Sequence, residues 1–502
     1  MDRLVVRREW PWLLGLYTLA LALRWYLIPS GIYGDEAWHY HVSRTWGAPV
    51  ENVHILDLDD VTDGRALFLW RLGFFIPLTP GALISFDAFR ALFSAYAALL
   101  SPLVFVILRE LFVRRYLAAP AGLAVAISPY FVTWGERVFP DALLGTFLLA
   151  ALWCWLRGST VGAAGFSVLA MWCKEVAIVF VATLVLLQIA SDHPAGTPRA
   201  WPPRISKRTL ALLAICPIGL LPLLFALQGG VAFPGWSNGT LQAAHVDLLF
   251  GSAWLVPLIL IGLCWRRTRF LAVLALAHPA FYILHNVIRG RQIEVWYHVV
   301  PQLLALLAAV QTLDEAAVRS FANHRGRIAS RTAVAAVAVL LLVGPLVPSE
   351  WEAKRAFAPA SLVASPSLTE TIDFEQGRDR SLHEALASVE GADWEAVFVV
   401  DVGWYFHWYP FGHEAKLVRK AYTDWEPEDG SQLPRWVNTA ENLTRVTFLY
   451  KLDLPLNLAL RDTYTDCVHH ENVDYVVLRP SACPGRVELL ATNYHARQQT
   501  AE

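Results

Sequence analysis

Two adjacent carboxylates, Asp35 and Glu36, directly follow the first long apolar stretch of the chain. Aromatic residues flank the pair, with Tyr33 before it and Trp38 shortly after it. Aromatic rings favour a membrane boundary, whereas bare carboxylates gain nothing there unless they have a function. A carboxylate can take the proton from an attacking hydroxyl group, so the pair is a candidate catalytic centre. The alternative interpretation is a helix N-terminus that carries favourable acids.

Positively charged residues form a second candidate group. On the topology that the charges predict, the outer short loops hold these cations at or near the ends of apolar stretches: Arg137, Lys174, Arg289 and Arg291. A charge close to a membrane boundary usually faces a protein cavity or binds an anion. Any one of them could instead extend its side chain to the lipid headgroups. Together, on a side otherwise poor in cations, they favour a site for an anionic group.

The elements that must position these residues are membrane helices. Of the 502 residues, 56% are hydrophobic and 17% are charged, and the mean hydropathy is +0.41. A soluble protein would carry roughly 25% charged residues. The apolar excess falls in blocks of about 17–25 residues, the length that spans a bilayer. Eleven spans are predicted, near residues 9–29, 87–108, 116–134, 141–156, 159–173, 175–191, 209–228, 247–265, 270–288, 293–313 and 332–348.

Charges between the spans predict the orientation of the chain. With the N-terminus in the cytoplasm, every inner loop holds arginines or lysines, as the positive-inside rule requires. We therefore predict a multi-pass protein of the plasma membrane. The odd number of spans places residues 349–502 on the extracytoplasmic side. No strongly basic domain suggests nucleic acid as a partner.

The predicted membrane domain, residues 1–348, contains a large first outer loop at 30–86. Within this loop the stretch 65–77 is apolar but short, which predicts an interfacial or re-entrant helix rather than a span.

Residues 349–502 are richer in charge, and their shorter apolar runs predict a small α/β domain. The predicted strands lie at 396–401, 446–450 and 473–478, and the predicted helix lies at 382–389. Cys467 and Cys483 in this domain either pair, if the domain faces an oxidising compartment, or stay free.

The order of these features resembles the GT-C superfamily of glycosyltransferases, especially its protein O-mannosyltransferase and aminoarabinose-transferase branch. The motifs that carry the resemblance are Asp35-Glu36-x-x-His39-Tyr40 after the first span, Arg137-x-x-Pro140-Asp141 after the third, Lys174 after the fifth, and Trp296-Tyr297-x-x-x-Pro301 at the tenth. The chain departs from the family pattern at Gly64-Arg65-Ala66-Leu67, where the family often has His-Pro-Pro. The fold implied is a polytopic α-helical membrane domain with a soluble outer domain.

The resemblance implies a sugar donor on polyprenyl phosphate, either dolichyl or undecaprenyl, and an acceptor hydroxyl on a protein, lipid or glycan. Asp35 matches the proposed general base, and one carboxylate with fixed cations suffices for a single displacement with inversion. Glu36 and Asp141 would assist it, although Asp141 after Pro140 is equally well explained as a helix-cap acid.

The remaining roles also follow from the resemblance. Negative charge grows on the departing phosphate in the transition state, where fixed cations stabilise it. The residues implied for the phosphate are Lys174, Arg291, Arg289 and Arg137. Further substrate contacts are expected from His39, Tyr40, Glu294 and Tyr297. No cofactor is predicted, and no metal-ligand spacing stands out, so we predict no metal.

Two other functions stay open. A transporter or flippase for a lipid-linked sugar could use the same cations to hold phosphate. Such a protein should have related halves and broken helices near mid-membrane, and the sequence shows neither. A homologue without activity that scaffolds glycan assembly is the second alternative.

Overall fold

The computed structural model of the chain describes residues 2–27, 36–45, 72–174, 176–190, 255–289, 298–320, parts of 380–388, 396–400, 418–421, 446–451, 465–479 and 483. The chain divides into two compact units. The first comprises residues 1–28 and 68–369, and the second comprises residues 29–67 and 370–502. Most of the stretch 30–86, predicted as the first outer loop, thus belongs to the same unit as the C-terminal residues, a grouping that the sequence did not suggest.

The described helices follow the apolar stretches of the sequence. Along the chain they are α1 (Asp2–Leu27), α2 (Glu36–Thr45), α3 (Leu72–Ala82), α4 (Phe86–Ala98), α5 (Leu100–Glu110), α6 (Arg115–Ile127), α7 (Pro129–Glu136), α8 (Pro140–Leu156), α9 (Thr160–Cys173), α10 (Ala177–Ala190), α11 (Leu255–Cys264), α12 (Arg269–Arg289) and α13 (Val299–Ser320). The predicted spans at 209–228 and 332–348 lie outside the described residues.

Local sequence explains where several of these helices begin and end. The Ser85 side chain accepts a hydrogen bond from the backbone N–H of Ala88, which caps α4. Pro129 and Pro140 occupy the first positions of α7 and α8, where a missing N–H is tolerated. Gly158 adopts a positive φ of 72° after α8, which lets the chain turn back into α9.

Among the described residues, the segments Phe86–Glu110 and Val299–Arg319 are long and apolar enough to cross a membrane. The bent pair α6 and α7 passes the same test if it is counted as one broken span. Helix α3 is one of several shorter apolar helices of 10–17 residues. Helix α3 overlaps the stretch 65–77, where the sequence predicts a short interfacial or re-entrant helix.

Ion pairs gather where α1 begins and α5 ends. Glu9 accepts from Arg109 at 3.3 Å and from Arg115 at 2.9 Å, joining three helices. Nearby in sequence, Arg114 binds Asp314 of α13 at 2.7 Å. These pairs fasten one end of the helical bundle, because partners on different helices must keep their register to meet.

The second unit contains a five-stranded sheet and helix α2. Its strands are β1 (Ala396–Val400), β2 (Val418–Ala421), β3 (Val446–Lys451), β4 (Val468–Glu471) and β5 (Tyr475–Leu478). The spatial order is β2-β1-β3-β5-β4, with β1 parallel to β2 and β3, and β5 antiparallel to β3 and β4. A disulfide joins Cys467 to Cys483, so the pairing that the sequence left open is present.

Candidate functional site

Two charged residues that the sequence singled out, Asp141 and Lys174, form an ion pair in the first unit. The Lys174 Nζ lies 2.8 Å from Oδ1 and 3.0 Å from Oδ2 of Asp141. Their side chains are only 6% and 1% exposed, respectively. A pair this buried is held tightly, because neither charge can exchange its partner for water.

Backbone geometry at two helix ends brings this pair together. Asp141 lies in the first turn of α8, where the helix dipole favours a carboxylate. Lys174 directly follows α9 in an extended conformation, with φ −159° and ψ 134°. One residue earlier on each side, the Cys173 thiol donates to the Pro140 carbonyl at 3.3 Å. Successive residues of one helix end therefore bind successive residues of the other.

Arg137, also predicted as a phosphate contact, lies in the short connection between α7 and α8. Its backbone N–H donates to the Thr133 carbonyl at the end of α7, and its side chain is buried. The connection is only three residues long, so Arg137 and Asp141 are neighbours in the chain and lie at the same end of the bundle.

The sequence reasoning missed a second buried ion pair beside this connection. Arg90 of α4 binds Glu136, the last residue of α7, and both side chains are 2% exposed. Arg90 also lies over the Phe86 ring, with its guanidinium carbon 5.6 Å from the ring centroid. Both charges lie inside or next to apolar stretches, so counting charges only in the loops overlooked them.

Arg24, in the last turn of α1, is a further cation that the sequence analysis missed. Its guanidinium is fully buried and donates to the carbonyls of Ala20 and Phe131 at 2.9 Å each. It packs against Gly135, where a Cβ atom would overlap the guanidinium. Within the described part of the chain, Arg24 has no carboxylate partner and its Nε donates no hydrogen bond.

Several buried charged residues lie at this end of the bundle. The buried cations are Arg24, Arg90, Arg137 and Lys174, and the buried acids are Glu136 and Asp141. His278 of α12 is also buried and is close enough to Lys174 to interact with its charge. Cations in a poorly hydrated site attract an anion more strongly than they would in water, so this arrangement is suited to a phosphate group.

Other predicted site residues lie in the second unit or outside the described residues. Helix α2 carries Glu36, His39 and Tyr40 on one face, three and four residues apart, and all of them are buried. The described part of α12 ends with Arg289, whose side chain is not among the described ones. The residues outside the described part are Asp35, Arg291, Glu294 and Tyr297.

The described residues contain no group of three or more histidine, cysteine, aspartate or glutamate side chains that could hold a metal ion.

Comparisons with known proteins place the chain by its fold. No family model matches the sequence, and no curated protein matches it. Among solved structures, the apo form of ArnT from Cupriavidus metallidurans matches with a TM-score of 0.56 and 14% identity, over 94% of this chain and 98% of that one. ArnT from the same organism bound to undecaprenyl phosphate matches with a TM-score of 0.56 and 15% identity, over 93% and 98%.

An oligosaccharyltransferase from Archaeoglobus fulgidus, tethered to an acceptor peptide, matches over 82% of this chain and 64% of that one, with 12% identity and a TM-score of 0.42. The two ArnT structures match over nearly the full length of both chains. The resemblance that the sequence motifs indicated is confirmed at the level of the fold: this chain has the fold of ArnT.

Proposed function

We propose that this protein is a membrane glycosyltransferase that moves a sugar from a polyprenyl-phosphate donor to an acceptor hydroxyl on the extracytoplasmic side. The observation that carries the proposal is the buried Lys174–Asp141 pair, which lies at the same end of the bundle as the buried Arg137 in a GT-C fold. The ArnT structure that contains undecaprenyl phosphate supports a lipid phosphate as the donor group.

The cations would act on the donor phosphate. A sugar phosphodiester carries one negative charge, and the lipid phosphate that leaves carries up to two. Asp141 holds the Lys174 ammonium in a fixed position before the donor arrives, so little reorganisation is needed as charge develops. Arg137 would add a bidentate contact, and we assign Arg289 and Arg291 to the same phosphate.

Asp35 would serve as the general base. It takes the proton of the acceptor hydroxyl while the hydroxyl oxygen attacks the anomeric carbon, and the bond from that carbon to the phosphate oxygen breaks. Direct displacement inverts the anomeric configuration, and general-base assistance contributes typically about 10²–10⁴-fold. We place Glu36, His39 and Tyr40 near this base.

Glu294 and Tyr297, which lie far from Asp35 in the sequence, are assigned as further substrate contacts. A mannose-like hexose or a pentose fits the proposal, and the acceptor is a protein, lipid or glycan. No cofactor takes part in this mechanism.

The proposed topology has eleven spans in residues 1–348, a cytoplasmic N-terminus and an extracytoplasmic α/β domain at 349–502. The disulfide between Cys467 and Cys483 supports the outer location, because disulfides persist in oxidising compartments. The arginines paired with Glu9 support a cytoplasmic location for the start of α1, in line with the positive-inside rule.

The experiment uses purified protein in liposomes that contain radiolabelled undecaprenyl phosphate mannose, with cell-envelope extract as the acceptor source. Undecaprenyl phosphate arabinose is the second donor. We expect transfer of label from at least one donor by the intact protein, and a loss of about 10²-fold or more in Asp35→Asn. Label that crosses the bilayer without transfer would indicate a transporter. Unchanged transfer by Asp35→Asn would remove Asp35 from the mechanism.

A further inference from the structure

A glycine of α3 lies against the helix end that carries Lys174. Gly73 is so close to the last turn of α9 that an added Cβ atom would lie 2.9 Å from the backbone nitrogen of Cys173 and 2.9 Å from the carbonyl carbon of Trp172. It would also overlap the carbonyl oxygen of Leu169. All these atoms belong to the backbone, so a side chain at position 73 cannot be accommodated by rotating a neighbour.

Helix α3 has no room to move away from α9. At its other end, a Cβ atom on Gly81 would lie 2.7 Å from the Ala88 carbonyl oxygen of α4. Between the two glycines, Phe74 is fully buried and packs edge-on against Phe93 of α4, with ring centroids 6.4 Å apart. Helix α3 thus packs against both α4 and α9.

The last turn of α9 is also held by α8. Cys173 donates to Pro140 of α8, and Lys174 binds Asp141 in the next position. Any side chain at position 73 would push this turn by about half an ångström or more, since van der Waals contact between carbon atoms needs roughly 3.5–4.0 Å. The displaced turn carries Lys174 with it.

We propose that Gly73 is a positioning residue. Because it lacks a side chain, α3 can pack directly against the last turn of α9, and this contact fixes the position of the Lys174 ammonium. The consequence for catalysis rests on the proposed function. The geometric consequence, that α3 covers Cys173 closely, does not depend on the proposed function. Gly73 itself contacts no reacting atom in this assignment.

The kinetic experiment compares Gly73→Ala with Gly165→Ala in the same liposome assay. Gly165 lies on α9 itself, and a Cβ atom there meets nothing within 4 Å, so it is a matched control. We expect kcat/KM for undecaprenyl phosphate mannose to fall at least about tenfold in Gly73→Ala, since misplacement by 1 Å can cost about 10²-fold. Gly165→Ala should stay within twofold of the intact protein.

A double-mutant comparison separates positioning from general packing. In the background Lys174→Gln, adding Gly73→Ala should lower transfer by less than about twofold, because its effect passes through Lys174. Multiplicative losses would show that Gly73 acts independently of Lys174 and would overturn the assignment.

Thiol reactivity tests the geometry without any transfer activity. Cys173 and Cys154 are both buried, and each can be followed by peptide mass spectrometry after N-ethylmaleimide treatment of the full-length protein. Gly73→Ala should label Cys173 at least tenfold faster and leave Cys154 unchanged. Equal labelling of Cys173 in the intact protein and Gly73→Ala, or faster labelling of both cysteines, would overturn the assignment.

If Gly73→Ala fails to accumulate in membranes, the variant Gly73→Ala/Cys173→Ala takes its place. Without the thiol, the α9 turn is no longer bonded to Pro140 and can yield to the new methyl group. We expect this protein to accumulate and to show the loss of transfer, relative to Cys173→Ala. Failure to accumulate would mean that the contact serves folding alone, against the proposal. If the intact protein transfers no sugar, the proposed function fails, while the thiol comparison still decides the role of Gly73.

Discussion

The Lys174 ammonium and the Asp141 carboxylate neutralise each other where water has little access. Replacing Asp141 with asparagine keeps the shape and removes the charge, which leaves Lys174 buried without its carboxylate. We expect a loss of about 3–5 kcal/mol in the free energy of unfolding, the range for breaking a buried pair. The measurement is denaturant unfolding of the purified protein in detergent micelles.

Adding Lys174→Gln to Asp141→Asn removes the second charge and should recover part of the lost stability. A double variant less stable than Asp141→Asn would contradict the buried-pair interpretation.

Two buried arginines at the same end differ in their partners, which gives a matched comparison. Arg90→Met deprives the buried Glu136 carboxylate of its guanidinium, so we expect a loss of about 3–5 kcal/mol. Arg24→Met removes a cation whose described partners are only the carbonyls of Ala20 and Phe131, so we expect a smaller loss of about 1.5–3 kcal/mol. Thermal unfolding in identical detergent compares the two variants.

The opposite ranking, with Arg24→Met the more damaging change, would indicate that Arg24 has an acidic partner in the folded protein.

At the residue scale, the sequence singles out Lys174 and Arg137 because each lies at or near the end of an apolar stretch, whereas Asp141 is a candidate through the resemblance to the GT-C superfamily. Arg24 and Arg90 escaped notice since each lies inside such a stretch, where the hydrophobic neighbours dominate the average. The pairing of Lys174 with Asp141 could not be read from the sequence, because it depends on how two helix ends meet in space. The place of Asp35 relative to this pair stays a prediction.

At the scale of elements, the N-cap of α4 gives a local prediction. The Ser85 hydroxyl accepts from the Ala88 N–H at 3.0 Å. Ser85→Ala leaves this N–H without its side-chain acceptor, and we expect a loss of about 1 kcal/mol in stability. Transfer per folded molecule should not change, because Ser85 lies in none of the assigned contacts.

Ser85→Asp supplies an equivalent acceptor and should match the intact protein in thermal unfolding. Equal stability of Ser85→Ala and Ser85→Asp would mean that this cap contributes nothing.

Hydropathy predicted the positions of the helices better than the points at which one helix ends and the next begins. The predicted span 116–134 is α6 followed by α7, which bend by 54° at Pro129. Continuous apolar character hid the break, although proline at the first position of a helix marks a new start. In the second unit, β2 and β4 contain only four residues each, and several of them are charged or polar. Strands this short do not show the alternation of apolar and polar residues by which a strand is recognised in a sequence.

At the scale of the whole molecule, buried charge lies at two levels of the helical bundle. Glu9 and Arg24, both on α1, are fifteen residues apart, which corresponds to roughly 22 Å along a helix. The ion pairs of Glu9 and the cation-rich group around Arg24 are therefore separated by about four turns of α1.

The disulfide provides a test of the proposed orientation. In protein purified from cells after rapid alkylation, Cys467 and Cys483 should be recovered as a linked peptide pair. The bond closes a short loop, with a sequence separation of 16 residues, and Cys467→Ser/Cys483→Ser should lose about 2–4 kcal/mol of local stability. Limited proteolysis of intact and variant protein measures this loss. Recovery of both cysteines as alkylated thiols would place the C-terminal residues in the reducing cytoplasm.

The second compact unit is assembled from residues 29–67 and 370–502, which are separated by most of the chain. A ribosome makes residues 29–67 well before it makes residues 370–502. Helix α2 therefore cannot fold together with the strands of its own unit until the intervening residues 68–369 have been synthesised. The unit that contains the proposed base Asp35 thus completes its folding only after the first unit has been synthesised.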